Sequence, residues 1–105
     1  MSVGRPVPYT DAMARLTEIE RQEFAASYPQ WKIEGEALRR TFTFRDFTEA
    51  MGFVTKVALL AERADHHPDI EIRWNQVTLT LSTHSEGGLT RRDTDLAARI
   101  STLAP

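Results

Sequence analysis

The stretch Asp46–Pro68, DFTEAMGFVTKVALLAERADHHP, contains one long helix and the point where it must stop. Asp46 with Glu49 three residues on has the spacing of a helix cap and its reciprocal acid. Phe47, Ala50, Met51, Val54, Val57, Ala58, Ala61 and Ala64 then recur at helical intervals, and Phe53 and Leu60 widen the apolar arc. That wider edge is expected either beneath neighbouring loops or at a contact between subunits. Pro68 pushes His67 out of the helical region, so the helix ends near His66. Two adjacent imidazoles therefore mark a helix C-terminus, and all three histidines of the chain fall between positions 66 and 84.

Downstream, Ile70–Trp74 and Val77–Thr83 read as a strand pair joined through Asn75-Gln76. Val77, Leu79 and Leu81 share one face, while Thr78, Thr80, Ser82 and His84 share the other. Glu86-Gly87-Gly88 forms a loop, after which Thr90 with Asp93 caps a last helix whose Leu96, Ala97, Ile100 and Leu103 turn inward. Upstream, Trp31–Phe44 reads as a hairpin with its turn at Gly35-Glu36 and Leu38, Phe42 and Phe44 facing in. Arg40 interrupts that alternation and is expected at an edge or interface. A first, mostly charged helix opens on the Thr17–Glu20 capping spacing and ends at Tyr28-Pro29. Residues 1–10 read as a loose tail and 11–105 as a single domain. The order α-β-β-α-β-β-α predicts an α+β fold, a four-stranded antiparallel sheet with three helices on one face.

Composition limits the chemistry. The 105 residues contain no cysteine, which removes disulfides, thiolate nucleophiles and Cys-ligated metals from consideration. A net charge of -2 gives no basic footprint for nucleic acid. The longest apolar run, Val57–Ala61, is too short to span a membrane, and the N-terminus has no signal-peptide pattern, so a cytoplasmic protein is expected. A domain this small buries limited surface, and self-association would add to it.

Imidazole both donates and accepts protons near neutrality, and one well-placed acid or base accelerates a reaction by about 10²–10⁴-fold. If the two strands after Pro68 pair antiparallel, the end of the second returns His84 towards His66 and His67. Singly, each residue also has ordinary structural work: a histidine at a helix end caps carbonyls, Asp93 caps a helix, Trp74 fills a core and Glu62 is solvated. Zinc held by the histidines with Asp65 or Glu62 ranks below proton transfer, because adjacent residues at a helix break diverge and no spacing places two ligands on one face. Ser82 and Ser85 lack the strand-turn-helix elbow of a nucleophile.

Glu62, His66-His67-Pro68, Trp74, His84 and Asp93, at these intervals, resemble the signature of the pterin-4a-carbinolamine dehydratases. Phe42–Phe47, Val57-Ala58, Leu81–His84 and Gly88–Thr90 also fall where that family has similar residues, so the resemblance covers all but the tail. It implies dehydration of 4a-hydroxytetrahydropterin to quinonoid dihydropterin and water, in recycling the pterin of aromatic amino acid hydroxylases. It also implies no metal or organic cofactor, and a homodimer or homotetramer. By position, His66, His67 and His84 carry over as catalytic residues, with His66 and His84 expected as acid and base and His67 as the group that holds the pterin. Asp65, Thr83 and Asp93 are expected to orient the imidazoles or contact substrate. Ile70 stands where some relatives carry an aromatic residue, which leaves substrate preference less constrained than reaction type. Some members of the family stabilise dimers of a transcription factor, so a non-catalytic interaction module is the alternative.

Overall fold

The computed structural model describes residues 14–104. The expected tail lies outside the described residues. Helix α1 (Glu18–Ser27) starts at Thr17, whose hydroxyl accepts from the Glu20 amide while the Glu20 carboxylate accepts from the Thr17 amide. Strands β1 (Lys32–Glu34) and β2 (Ala37–Thr43) form the first hairpin, with Gly35 at φ 62 in its turn. Helix α2 (Phe47–Ala64) follows, capped by Asp46, then β3 (Asp69–Arg73) and β4 (Gln76–Leu81). A 3-10 turn at His84–Glu86 leads to helix α3 (Arg91–Ser101). The antiparallel sheet has the order β1-β2-β4-β3.

Alternation sorts the two faces of this sheet. Leu38, Phe42, Val77, Leu79 and Leu81 are buried and join Phe24, Ala50, Phe53, Val57, Leu96, Ala97 and Ile100 of the helices in one core. The opposite face carries Arg39, Thr41, Thr78, Thr80 and Glu71, with Thr41 and Thr78 hydroxyls 2.8 Å apart. The three helices thus cover one face, as predicted, and the threonine-rich face is left open.

Four local expectations change. Phe53 is only 5% exposed and touches both Phe42 and Phe44 through its ring, so the widened arc of α2 belongs to the core. The large apolar residues of that helix left exposed are instead Phe47 and Leu59. Arg40 is not at a sheet edge but on the inner face of the central strand β2, between Leu38 and Phe42, where its guanidinium lies 4.2 Å from the Phe42 ring centroid and donates to Ser101 Oγ at 3.3 Å. Burial lowers its pKa, and the aromatic face with the hydroxyl compensates for lost water. The β3–β4 turn falls at Trp74-Asn75, one residue earlier than expected, because Asn75 is held to Phe44 by two bonds, its carbonyl accepting from the Phe44 amide and its side chain donating to the Phe44 carbonyl. Lastly, β4 ends at Leu81, so Thr83 turns inward and His84 sits in the 3-10 turn rather than at a strand end.

Candidate active site

The end of α2 separates its two imidazoles. Asp65 adopts φ 52, its amide donates to the Glu62 carbonyl at 3.2 Å, and the His66 amide donates to the Ala61 carbonyl at 3.1 Å. This left-handed termination usually employs glycine. It reverses the chain sharply, sending His66 inward and His67 outward. Arg92 closes the corner, its guanidinium donating to the Asp65 carbonyl at 2.5 Å.

His66 is 9% exposed, and its Nε2 lies 2.5 Å from Oδ1 of Asp93, which is wholly buried. The other carboxylate oxygen of Asp93 accepts from the Thr90 amide at 2.9 Å and from the Thr83 hydroxyl at 2.8 Å. Asp93 is therefore both the capping acid of α3 and the group that fixes the His66 ring. An ionised carboxylate can only accept, so the contact places the proton on Nε2 of His66. Thr83 also meets the Thr90 hydroxyl at 2.8 Å, so Thr83, Thr90 and Asp93 form one buried network joining the loop after β4 to the start of α3.

His67 is exposed and its Nε2 lies 2.5 Å from Oε1 of Glu62, one helical turn back. His84 is exposed in a loop closed by paired bonds between the Thr83 and Gly88 backbones, 3.1 and 3.2 Å. Gly87 at φ 73 permits the turn between them. His67 and His84 line one cleft of about 300 Å³ together with Glu36, Ala37, Asp69, Thr80 and Ser82. The cleft opens at the polar face of the sheet, where Asp69 and Thr80 are cross-strand partners. A larger concavity of about 370 Å³, lined by Phe44, Glu49, Gly52, Phe53, Lys56 and Leu103, contains no imidazole.

Of the six residues named from sequence, then, two share the cleft. His66, Thr83 and Asp93 form the internal support, and the exposed Asp65 supplies backbone geometry. Among the described residues, no three of His, Asp and Glu converge as metal ligands would.

In the sequence Glu36 reads only as a turn residue. Its carboxylate accepts from the Leu89 amide at 3.2 Å and pairs with Arg15 at 3.2 Å and Arg21 at 3.4 Å, while its carbonyl accepts from Ser82 Oγ at 2.7 Å. The hydrogen bond donated by the Leu89 N–H, reinforced by the two arginines, holds its pKa below the ordinary 4.5. A Cβ on Gly88 would collide with that carboxylate, so a side chain there would have to push Glu36 aside. Glu36 thus ties the first hairpin to both sides of the His84 loop. No local pattern announces this, because its partners lie 46 and 53 residues away.

The family model for pterin 4 alpha carbinolamine dehydratase matches residues 14–103. A Thermomicrobium roseum protein, provisionally named pterin-4-alpha-carbinolamine dehydratase, is 50% identical over 92 residues, covering 88% of this chain and 99% of that protein. An Acidobacterium capsulatum protein of the same provisional name is 53% identical over 91 residues, covering 87% and 99%. The fold also matches the crystal structure of a transcriptional coactivator/pterin dehydratase from Brucella melitensis, with a TM-score of 0.81 and 42% identity over 87% of this chain and 99% of that one. A pterin dehydratase-like protein described as a RuBisCO assembly factor in the alpha-carboxysome matches with a TM-score of 0.61 and 27% identity, over 71% and 89%. With a family model matching residues 14–103, relatives 50% and 53% identical over nearly their whole length, and a fold shared with a solved structure 42% identical to it, the chain belongs to the pterin-4-alpha-carbinolamine dehydratase family.

Proposed function

We propose that this protein dehydrates 4a-hydroxytetrahydropterin, releasing water and quinonoid dihydropterin, in the recycling of a tetrahydropterin cofactor. The observation that carries the proposal is the pairing of His67 and His84 across one cleft of about 300 Å³. Loss of the 4a hydroxyl breaks a carbon–oxygen bond and needs a proton on the departing oxygen, while the adjacent ring nitrogen gives up its own proton. His67, with Nε2 engaged by Glu62, accepts the ring proton at Nδ1, and His84 protonates the leaving hydroxyl. His66, expected to share the acid and base roles with His84, instead holds the corner through Asp93, and His67 takes its place in the chemistry. Asp69, Thr80 and Ser82 provide polar groups for the pterin edge. A turnover assay following quinonoid dihydropterin tests this directly. Acceleration over the uncatalysed dehydration is expected, and its absence would remove the enzymatic reading.

A non-catalytic interaction role on the same fold is favoured by the apolar side chains left exposed, Trp74 at 66% and Leu59 at 67%, and by neighbours described as a coactivator and an assembly factor. We place self-association first among such contacts. Edge strand β3 exposes Ile70 and Ile72, and antiparallel pairing with a second copy about Ile72 would set Glu71 against Arg73 and Ile70 against Trp74. A cytoplasmic setting belongs to this proposal, since no helix among the described residues is long and apolar enough to cross a membrane. Sedimentation of the chain and of Ile72→Lys separates the outcomes: a dimer lost in the variant supports the edge, whereas a wild-type monomer rules it out.

A further inference from the structure

A second concavity, sharing no lining residue with the cleft, lies where the end of α2 meets α3. It encloses about 280 Å³ and is lined by Arg63, Ala64, His66, Arg92, Asp95, Leu96 and Arg99. Three arginines and one aspartate thus line a small cavity that His66, held by Asp93, also lines. Among the described residues, none of the three arginines has a carboxylate within 4.0 Å.

Part of this has an ordinary explanation. Arg63 and Arg99 occupy the last turns of their helices, where a cation favours the helix dipole. Arg92 does not, because it lies in the first turn of α3, at the positive end. It is half-buried, and its bond to the Asp65 carbonyl accounts for one arm of its fork. Among the described residues, the remaining N–H groups of Arg92 and those of the exposed Arg63 and Arg99 meet no protein acceptor. Three arginines against one aspartate leave the cavity with an excess of positive charge, which an oxyanion would offset. Planar guanidinium forks match a tetrahedral phosphate in bidentate fashion.

We propose that this cavity is a binding site for a phosphate dianion, free or as a phosphomonoester, distinct from the pterin cleft. Occupancy sets a negative charge beside the wall formed by His66 and ties the end of α2 to α3. Because the same contact is the support of the catalytic corner, binding strengthens the junction that orients His67. The site itself does not depend on the dehydratase assignment.

Calorimetric titration of the full chain with inorganic phosphate and separately with glycerol phosphate, at constant ionic strength in chloride, reads the site without any activity assay. Saturable one-to-one binding is expected, and at saturation a rise in Tm of about 5 °C. The double variant Arg63→Gln/Arg99→Gln, both positions exposed, should bind at least about tenfold more weakly, whereas Arg73→Gln, outside the cavity, should bind like the wild type. Tighter binding of glycerol phosphate identifies a phosphomonoester ligand, and tighter binding of inorganic phosphate identifies the free ion. No saturable binding of either, or undiminished binding by the double variant, would overturn the proposal.

Discussion

His66 and Asp93, 27 residues apart, meet at 2.5 Å inside the protein, and this contact joins the end of α2 to the start of α3. Removing the carboxylate strands three partners at once: the His66 ring, the Thr83 hydroxyl and the Thr90 amide. Asp93→Ala is expected to cost about 3 kcal/mol or more, since several buried polar groups lose their acceptor together. Asp93→Asn, which keeps one acceptor oxygen, should cost less. Urea denaturation of the two variants checks the order.

Glu62 and His67 make a contact of the same length at the surface, with side chains 77% and 54% exposed. Stability should therefore change by less than about 0.5 kcal/mol in Glu62→Ala. Turnover should fall about tenfold or more, because the ring loses the partner that fixes its orientation and tautomer. The loss should appear in kcat rather than KM, and Glu62→Gln should recover part of it. Steady-state kinetics of the two variants distinguishes orientation from charge.

The Glu36 clamp carries a pH dependence of defined sign. Its folded pKa is depressed below 4.5, so its contribution to stability is fully present above that value and is lost as pH falls through the lower, folded pKa. Wild type should exceed Glu36→Gln in Tm at pH 7, and the gap should close as the solution is acidified below about pH 4. Gly88→Ala, which displaces the same carboxylate, should reproduce the neutral-pH loss. Thermal melts across this range provide the measurement.

Asp65 sits at φ 52 with its side chain exposed, a left-handed conformation that costs non-glycine residues about 1–2 kcal/mol. Glycine removes that strain and adds back some unfolded-state entropy. Asp65→Gly is expected to raise stability by up to about 1 kcal/mol, visible as a higher urea midpoint. An unchanged or lowered midpoint would show that the carboxylate contributes to folding in its own right.

Much of the architecture could be read from local sequence because capping and alternation are local. Thr17, Asp46 and Thr90 begin the three helices where their spacing to Glu20, Glu49 and Asp93 indicated. Alternation in Val77–Leu81 gave the covered and open faces of the sheet. The errors came from tertiary context. Nothing near Arg40 says that Phe42 and Ser101 will receive an inward guanidinium, and nothing near Asn75 says that Phe44 will fix the turn one residue early. The site divides in the same way. The helix stop before Pro68 was evident, and with it the histidine pair, but the direction of each ring depends on Asp93 and Glu62. Glu36 could not be found at all, since its role exists only once the hairpin meets the His84 loop.

The division of labour among the histidines is tested most directly by single-turnover dehydration of 4a-hydroxytetrahydropterin with His67→Ala, His84→Ala and His66→Gln. Loss of a proton-transfer group from the cleft should slow dehydration by about 10²-fold or more in each of the first two variants. His66→Gln, whose amide can still donate to Asp93, should retain more activity than either. Wild-type rates in His67→Ala and His84→Ala, with the loss confined to His66→Gln, would contradict the account.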